Sequence, residues 1–377
     1  MRKRLFTPGP TPVPEEVALA MAAPIIHHRT KEFEQLFAQV NEGLKYLFQT
    51  QNDVFTLACS GTGAMEAAVV NILCGGDKVL VIRGGKFGER WAEIASAYGA
   101  NVEAIDVEWG HAVDVGLVAE KLRAEPDIKA VFATQSETST GVLNDIQALG
   151  EAVKDHEALL VVDAITGIGV HELLTDQWGL DVVVTGSQKG IMLPPGLAFV
   201  TLSQAAWRAV ETSDLPKYYF DLAAARESME KNQTPYTPAV SLIVGLNEAL
   251  RMIRAEGVEQ IWERHARHAE ATRNGVRALG LELFPQDPSN VLTVALAPEG
   301  LSAKSIIAGL FDRYGVKVAG GQGVLKDKAF RISHIGYVDD IDIVGVVSAL
   351  EGTLKHLGWR FELGAGLAAA QRTLAAC

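Results

Sequence analysis

The stretch ALLVVDAITGIGVHELLTDQWGLDVVVTGSQKG, residues 158–190, contains two runs rich in Val and Leu, ALLVVD (158–163) and DVVVTG (181–186). Neither run alternates apolar with polar residues, so both predict strands covered on two faces, as in a parallel sheet packed between helices. Asp163 closes the first run, and Lys189 follows the second inside a turn of small residues. In open α/β sheets ligands bind beyond the carboxyl ends of the strands, where these two side chains can converge. Outward from this pair lie VFTLAC (54–59), KVLVI (78–82), NVEAID (101–106), KAVFAT (129–134) and LAFVTL (197–202). Seven runs, most of them separated by helix-length segments, predict an α/β fold with a mostly parallel seven-stranded sheet covered by helices. The segment AMEAAVVNIL is apolar almost all round and predicts a buried helix, whereas LGEAVKDHE (149–157) has the polarity of a surface helix.

After Pro238 the periodicity changes. Leu242, Leu246, Ala249, Leu250 and Ile253 share a helical face that stops at Gly257, and a long helix rich in His and Arg runs on to about Leu279. Beyond it, VLTVAL (291–296), a helix near Ala303–Tyr314, GVKVAG (315–320), AFRISH (329–334) and a helix with Ile341, Val344, Val347, Leu350 and Leu354 in register form a smaller C-terminal α+β domain. The expected division is an N-terminal segment (1–20) packing on the body, a large domain (21–255) and a small domain (256–377). The Ala-rich tail AGLAAAQRTLAAC receives no assignment.

Composition narrows the function. The 377 residues carry 34 basic and 46 acidic side chains, a net charge of −12, with 48% apolar residues, which describes a soluble globular protein with a substantial core. The acidic balance argues against nucleic acid, and the short basic run Arg2-Lys3-Arg4 is no binding stripe. Neither a signal peptide nor an 18-residue apolar span is expected, so no membrane partner is foreseen. Cys59, Cys74 and Cys377 are odd in number and lack metal-binding spacing, which fits a cytoplasmic location, packing thiols and no metal.

Taken alone, Lys189 reads as a surface lysine and Asp163 as a turn cap. A third element alters that balance. In ACSGTGAMEA (58–67) a strand passes through Ser60-Gly61-Thr62-Gly63 into a helix, so small residues, two hydroxyls and a helix N-terminus form a cup for a phosphate. The loop lacks the lysine of a nucleotide-binding P-loop and the spacing of a dinucleotide fingerprint. An amine able to condense with an aldehyde, a carboxylate able to keep a pyridine nitrogen protonated and a phosphate cup are together what pyridoxal 5'-phosphate chemistry requires.

The chain resembles a class V, fold type I aminotransferase of the alanine–glyoxylate and serine–pyruvate branch. TPGPTPVPEEV, SGTGAMEA, GGKFGERW, ETSTGV, VDAITG, GSQKG, LPPGLAFV, TPYTPAVS, VAGGQG and FRISHIG occur in the family's order over nearly the whole length. The resemblance implies that Lys189 and Asp163 are the catalytic pair and that Ser60, Gly61 and Thr62 bind the cofactor phosphate. Phe87 would stack on the cofactor ring where family members often carry Trp. Thr138 would bond its phenolic oxygen, and Gln188, beside the lysine, would reach the phosphate. Tyr236 and Thr237 would cross to the phosphate of a partner subunit in a homodimer with shared sites, with Thr234 as a rival. Arg331 would bind the substrate α-carboxylate as a planar bidentate donor, and Gly9 would lie beside the substrate. The implied activity is a ping-pong Schiff-base transfer of an amino group from alanine or serine to glyoxylate or pyruvate. The resemblance is looser at Ser333, where the family commonly has Gly, and at His27-His28-Arg29, so the side-chain pocket stays open.

Three rivals remain. A cysteine desulfurase usually has His before the lysine and a Cys in the loop corresponding to AGGQG (319–323), and this chain has Gln188 and no Cys there. A 2-aminoethylphosphonate–pyruvate transaminase would need further cations, for which Arg29 and Lys317 are possible sources. A noncatalytic scaffold would have little reason to carry Lys189, Asp163 and Arg331 together.

Overall fold

The computed structural model describes residues 2–376. Its strands are β1 (Arg4–Phe6), β2 (Val54–Leu57), β3 (Lys78–Arg83), β4 (Asn101–Asp106), β5 (Ala130–Thr134), β6 (Ser136–Glu137), β7 (Val142–Leu143), β8 (Leu159–Asp163), β9 (Val182–Gly186), β10 (Ala198–Leu202), β11 (Leu292–Leu296), β12 (Val316–Gly320) and β13 (Ala329–Ser333). The seven expected runs form one sheet in the order β2-β10-β9-β8-β5-β3-β4. Only β10 runs against its neighbours, β9 and β2. Every residue of β5, β8, β9 and β10 is buried, which is why these runs do not alternate. Asp163 pairs with Thr134 on one side and Val184 on the other, at the carboxyl edge of the sheet.

The Gly61–Ile72 helix buries Ala64, Met65 and every residue from Ala67 to Ile72. It lies between the sheet and the Gln204–Thr212 helix, so its all-round apolar character matches its two-sided cover. The second sheet has the order β1-β12-β13-β11. Its edge strand β1 pairs in parallel with β12, Arg4 opposite Val316 and Phe6 opposite Val318, a pairing that three residues cannot announce through periodicity. Leaving β1, the chain continues directly over the carboxyl edge of the large sheet.

The Val240–Glu256 and Val258–Ala278 helices meet at Gly257, whose φ of 93° suits glycine. The second helix bridges two apolar cores: Val258 and Ile261 join the core of the large sheet, and Ala271 and Val276 join that of the smaller one. In the Asp340–His356 helix the expected face is rotated. Ile343, Val346, Val347, Leu350 and Leu354 point inward, and Ile341, in the first turn, is 75% exposed. The tail forms an Ala365–Ala375 helix packed on the Val258–Ala278 helix, and the buried Glu351 carboxylate accepts from Gly364 N–H at 3.0 Å and Leu367 N–H at 2.8 Å at its start. No helix among the described residues is long and apolar enough to cross a membrane.

Candidate active site

Lys189 extends from the turn after β9 under the N-terminal segment. Its Nζ donates to the Pro8 carbonyl at 2.6 Å, and the Thr11 hydroxyl donates to the Lys189 carbonyl at 2.9 Å. Gly9 lies against the side chain: a Cβ there would be 2.6 Å from Lys189 Cε and 2.7 Å from Cδ, and φ is +137°. Only glycine lets the backbone pass over the lysine here. Burial lowers the Lys189 ammonium to about 8, the Arg331 and Arg90 charges add to the shift, and Asp163 opposes it. Asp163 is 3% exposed, and burial pushes its carboxyl up to about 7. The Ile165 N–H, donating to its Oδ1 at 2.8 Å, opposes that rise, the Glu137 charge reinforces it, and Lys189 and Arg90 act against it.

Beside this pair, Ser60 is the first residue of the Gly61–Ile72 helix cap and its hydroxyl makes no capping bond. Ser60 and Thr62 are exposed and Gly61 is buried, with no room for a Cβ because Ile165 Cδ1 would lie 2.6 Å from it. Gln188 Oε1 is buried without a hydrogen-bond partner. The uncapped Ser60 hydroxyl and the helix N-terminus can donate to a bound phosphate, whereas the Gln188 carbonyl oxygen, an acceptor, would have to turn its amide to do so.

Phe87 is the second residue of the Lys86–Ala97 helix, and its N–H donates to the buried Glu137 carboxylate at 2.9 Å. Arg90, one turn on, places its guanidinium 4.8 Å from the Phe87 ring centre and donates to the Thr62 hydroxyl at 3.3 Å. Thr138, next to Glu137, is buried, and its carbonyl accepts from Arg331 Nη1 at 2.7 Å. Arg331, on β13, also donates through Nε to the Gly320 carbonyl at 2.8 Å. Burial lowers its guanidinium to about 10, against the Glu137 charge.

Tyr236 and Thr237 belong to a different neighbourhood. The Tyr236 ring stacks on Tyr218 and Tyr219 at centroid distances of 5.8 and 5.4 Å, and its hydroxyl donates to the Tyr218 carbonyl at 3.1 Å. Thr237 is exposed, and the Thr234 hydroxyl donates to the Tyr236 carbonyl at 2.7 Å. A small cleft of about 40 Å³ opens between this loop and the Leu57-Ala58 end of β2. Arg29 holds the loop in shape by donating to Gln233 Oε1 at 2.7 Å and to the carbonyls of Thr234 and Pro235 at 2.9 and 3.3 Å. Lys317 is exposed on β12, 5.7 Å from the Phe311 ring centre. Both cations considered for a phosphonate therefore have other neighbours.

Arg90 and Glu137 are the two site residues that the sequence reading missed. Each stands inside a quoted motif, GGKFGERW and ETSTGV, so the signal was present, but their partners lie 28 and about 50 residues away. Cys59 and Cys74 are unpaired and Cys377 lies outside the described residues. Among the described residues no group of three His, Cys, Asp or Glu side chains could hold a metal ion.

A family model for class V aminotransferases matches residues 5–343. The chain is 48% identical to a protein of Anabaena cylindrica named soluble hydrogenase 42 kDa subunit, covering 98% of this chain and 97% of that protein. It is 40% identical to the L-aspartate–glyoxylate aminotransferase of Paracoccus denitrificans (97% and 95% covered) and 37% identical to the serine–glyoxylate aminotransferase of Methylorubrum extorquens (99% and 96% covered). Its fold is similar to the crystal structure of ureidoglycine–glyoxylate aminotransferase from Bacillus subtilis, with a TM-score of 0.95, 30% identity, and 99% and 98% of the two chains covered.

Proposed function

The chain belongs to the class V aminotransferase family, and from that premise we propose a pyridoxal-phosphate-dependent, homodimeric, cytoplasmic transaminase that moves an amino group from alanine or serine to glyoxylate or pyruvate. The observation that carries the reading is the convergence at one sheet edge of Lys189, in the turn after β9, and buried Asp163, at the end of the neighbouring strand β8. Once bound, pyridoxal phosphate supplies the aldehyde that takes up the amino group and a ring that delocalises the electrons released at the substrate α-carbon. Lys189 would hold the cofactor and then move the proton at that carbon, a task suited to an amine that loses its charge near pH 8. Asp163 would face the ring nitrogen and share its proton. Ser60, Gly61, Thr62 and the Gln188 amide would hold the phosphate, Phe87 would cover one ring face, and Thr138 would bond the phenolic oxygen. Arg331 would take the substrate carboxylate with Gly9 beside it, and Tyr236 and Thr237 would complete the partner's phosphate site. We read the chain as an N-terminal segment to residue 20, a large domain to 255 and a small domain beyond.

One observation favours a second reading of the donor alone. Arg90 brings another positive charge to the site, so an acidic donor such as aspartate has a candidate counter-charge. Borohydride reduction of the purified holoenzyme followed by peptide mapping should label Lys189, and a different labelled lysine overturns the assignment. A matrix of alanine, serine, glycine, aspartate and aminoethylphosphonate against glyoxylate and pyruvate then decides the donor. Turnover fastest with alanine or serine supports the first reading; aspartate ahead of both replaces it with the second, and aminoethylphosphonate ahead defeats both.

A further inference from the structure

Glu137 is 2% exposed and has no task in the chemistry just described. Its Oε2 accepts from the N–H groups of Phe87 at 2.9 Å and Gly88 at 3.0 Å. Its Oε1 accepts from the Ser139 N–H at 3.1 Å and the Ser139 hydroxyl at 2.6 Å. The same hydroxyl accepts from Lys86 N–H at 3.0 Å. Burial pushes this carboxyl up, and the four bonds oppose that rise. A protonated carboxyl would need an acceptor for its own proton, whereas all four neighbours donate, so the arrangement suits a carboxylate.

Three successive N–H groups at the start of the Lys86–Ala97 helix therefore end on two side chains of the ETSTG loop. The helix has no side-chain cap of its own, since its N-cap is Gly85. A Cβ at Gly85 would lie 2.6 Å from Glu137 Cγ, so the missing side chain is what admits the carboxylate. A buried negative charge at a helix N-terminus is favourable, and here it sets where Phe87 begins its turn. The opposite side of the loop bears on Arg331, which donates to the Thr138 carbonyl at 2.7 Å and whose cationic form the Glu137 charge favours.

We propose that Glu137 is a positioning residue that couples the aromatic cover Phe87 to the carboxylate-binding Arg331, so that one buried anion sets both cofactor stacking and recognition of the substrate α-carboxylate. This inference rests on the transaminase reading.

Two quantities separate the coupling from a general loss of structure: the dissociation constant of pyridoxal phosphate for the apo-protein, and that of propionate for the holoenzyme, followed through the cofactor absorbance. Propionate carries the carboxylate without the reacting amine. Phe87→Leu should weaken the cofactor alone, and Arg331→Lys should weaken propionate alone. Glu137→Gln keeps the side-chain shape but turns a donor toward donors, and should weaken both, each by about tenfold. In the Arg331→Lys background, Glu137→Gln should have little further effect on propionate. If Glu137→Gln does not fold by far-ultraviolet circular dichroism, Ser139→Ala is read instead and should shift both constants in the same direction by less. A folded Glu137→Gln, or failing it Ser139→Ala, that leaves either constant at the wild-type value overturns the proposal, as does a full effect on propionate persisting in the Arg331→Lys background. A wild-type protein that does not take up cofactor at Lys189 instead overturns the transaminase reading.

Discussion

Lys189 and Asp163 show how a short stretch of chain acquires reactivity through burial. A lysine in water holds its proton well above neutral pH; in this site burial and two arginines outweigh one aspartate and bring it to about 8. Its neutral, nucleophilic fraction grows as pH rises through that value. Uptake of pyridoxal phosphate by apo-protein should therefore accelerate across pH 8 and level off above it, as stopped-flow absorbance would record. Arg90→Leu removes one of the charges that lower the ammonium, so the midpoint should move to higher pH. An unmoved midpoint would mean that Arg90 does not act on Lys189.

Two helices with glycine at the N-cap, Lys86–Ala97 and Ala365–Ala375, take their caps from side chains elsewhere in the chain. Glu351 accepts two N–H groups at the start of the tail helix, and Glu351→Ala should cost about 1–2 kcal/mol, seen as a lower midpoint in thermal or urea unfolding with Lys189 chemistry intact. His171, after β8, accepts from Asn290 N–H at 3.0 Å through Nε2 and bonds the Ser289 hydroxyl at 2.9 Å through the same atom. Proton uptake at Nε2 would break the first of these bonds. Burial lowers His171 from 6.5 to about 4, with Arg273 adding to the shift. The unfolded chain then binds a proton between pH 6.5 and 4 that the folded chain refuses, so this group makes stability fall as pH drops through that window. His171→Gln should lessen the slope of melting temperature against pH between 6.5 and 4, and an unchanged slope would remove His171 from the acid response.

At the scale of the whole molecule, the stack of Tyr218, Tyr219 and Tyr236 stands out. Tyr218 is 80% exposed and Tyr219 48% exposed, an uncommon setting for three packed aromatic rings and one that suits cover by a second copy. Mixing inactive Lys189→Ala protein with a Tyr236→Ala variant should restore part of the activity if each site draws on both subunits. A fully active monomer in sedimentation at assay concentration would defeat the shared-site reading.

The sequence by itself determined the sheet. Runs such as LLVVD and VVVTG are apolar without alternation, and that local property requires cover on both faces. It also placed Asp163 and Lys189 at one edge, because parallel strands carry their carboxyl ends together. What only the tertiary structure decided were the contacts between distant segments: β1 against β12, Gly9 across Lys189, Arg29 beneath the 233–235 loop, Arg90 on Thr62 and Glu137 on the start of the Phe87 helix. The face of the Asp340–His356 helix, by contrast, was legible in the sequence: at about 100° per residue Ile343 lies within roughly 40° of Val347, Leu350 and Leu354, whereas Ile341 is about 180° from Leu350 and so falls on the solvent side. Periodicity reports whether a residue is covered, a property summed over a few neighbours in the chain. The partner that covers it is chosen by the packing of elements far apart in sequence, and at this site those choices set the charge of Lys189, the place of Phe87 and the aim of Arg331.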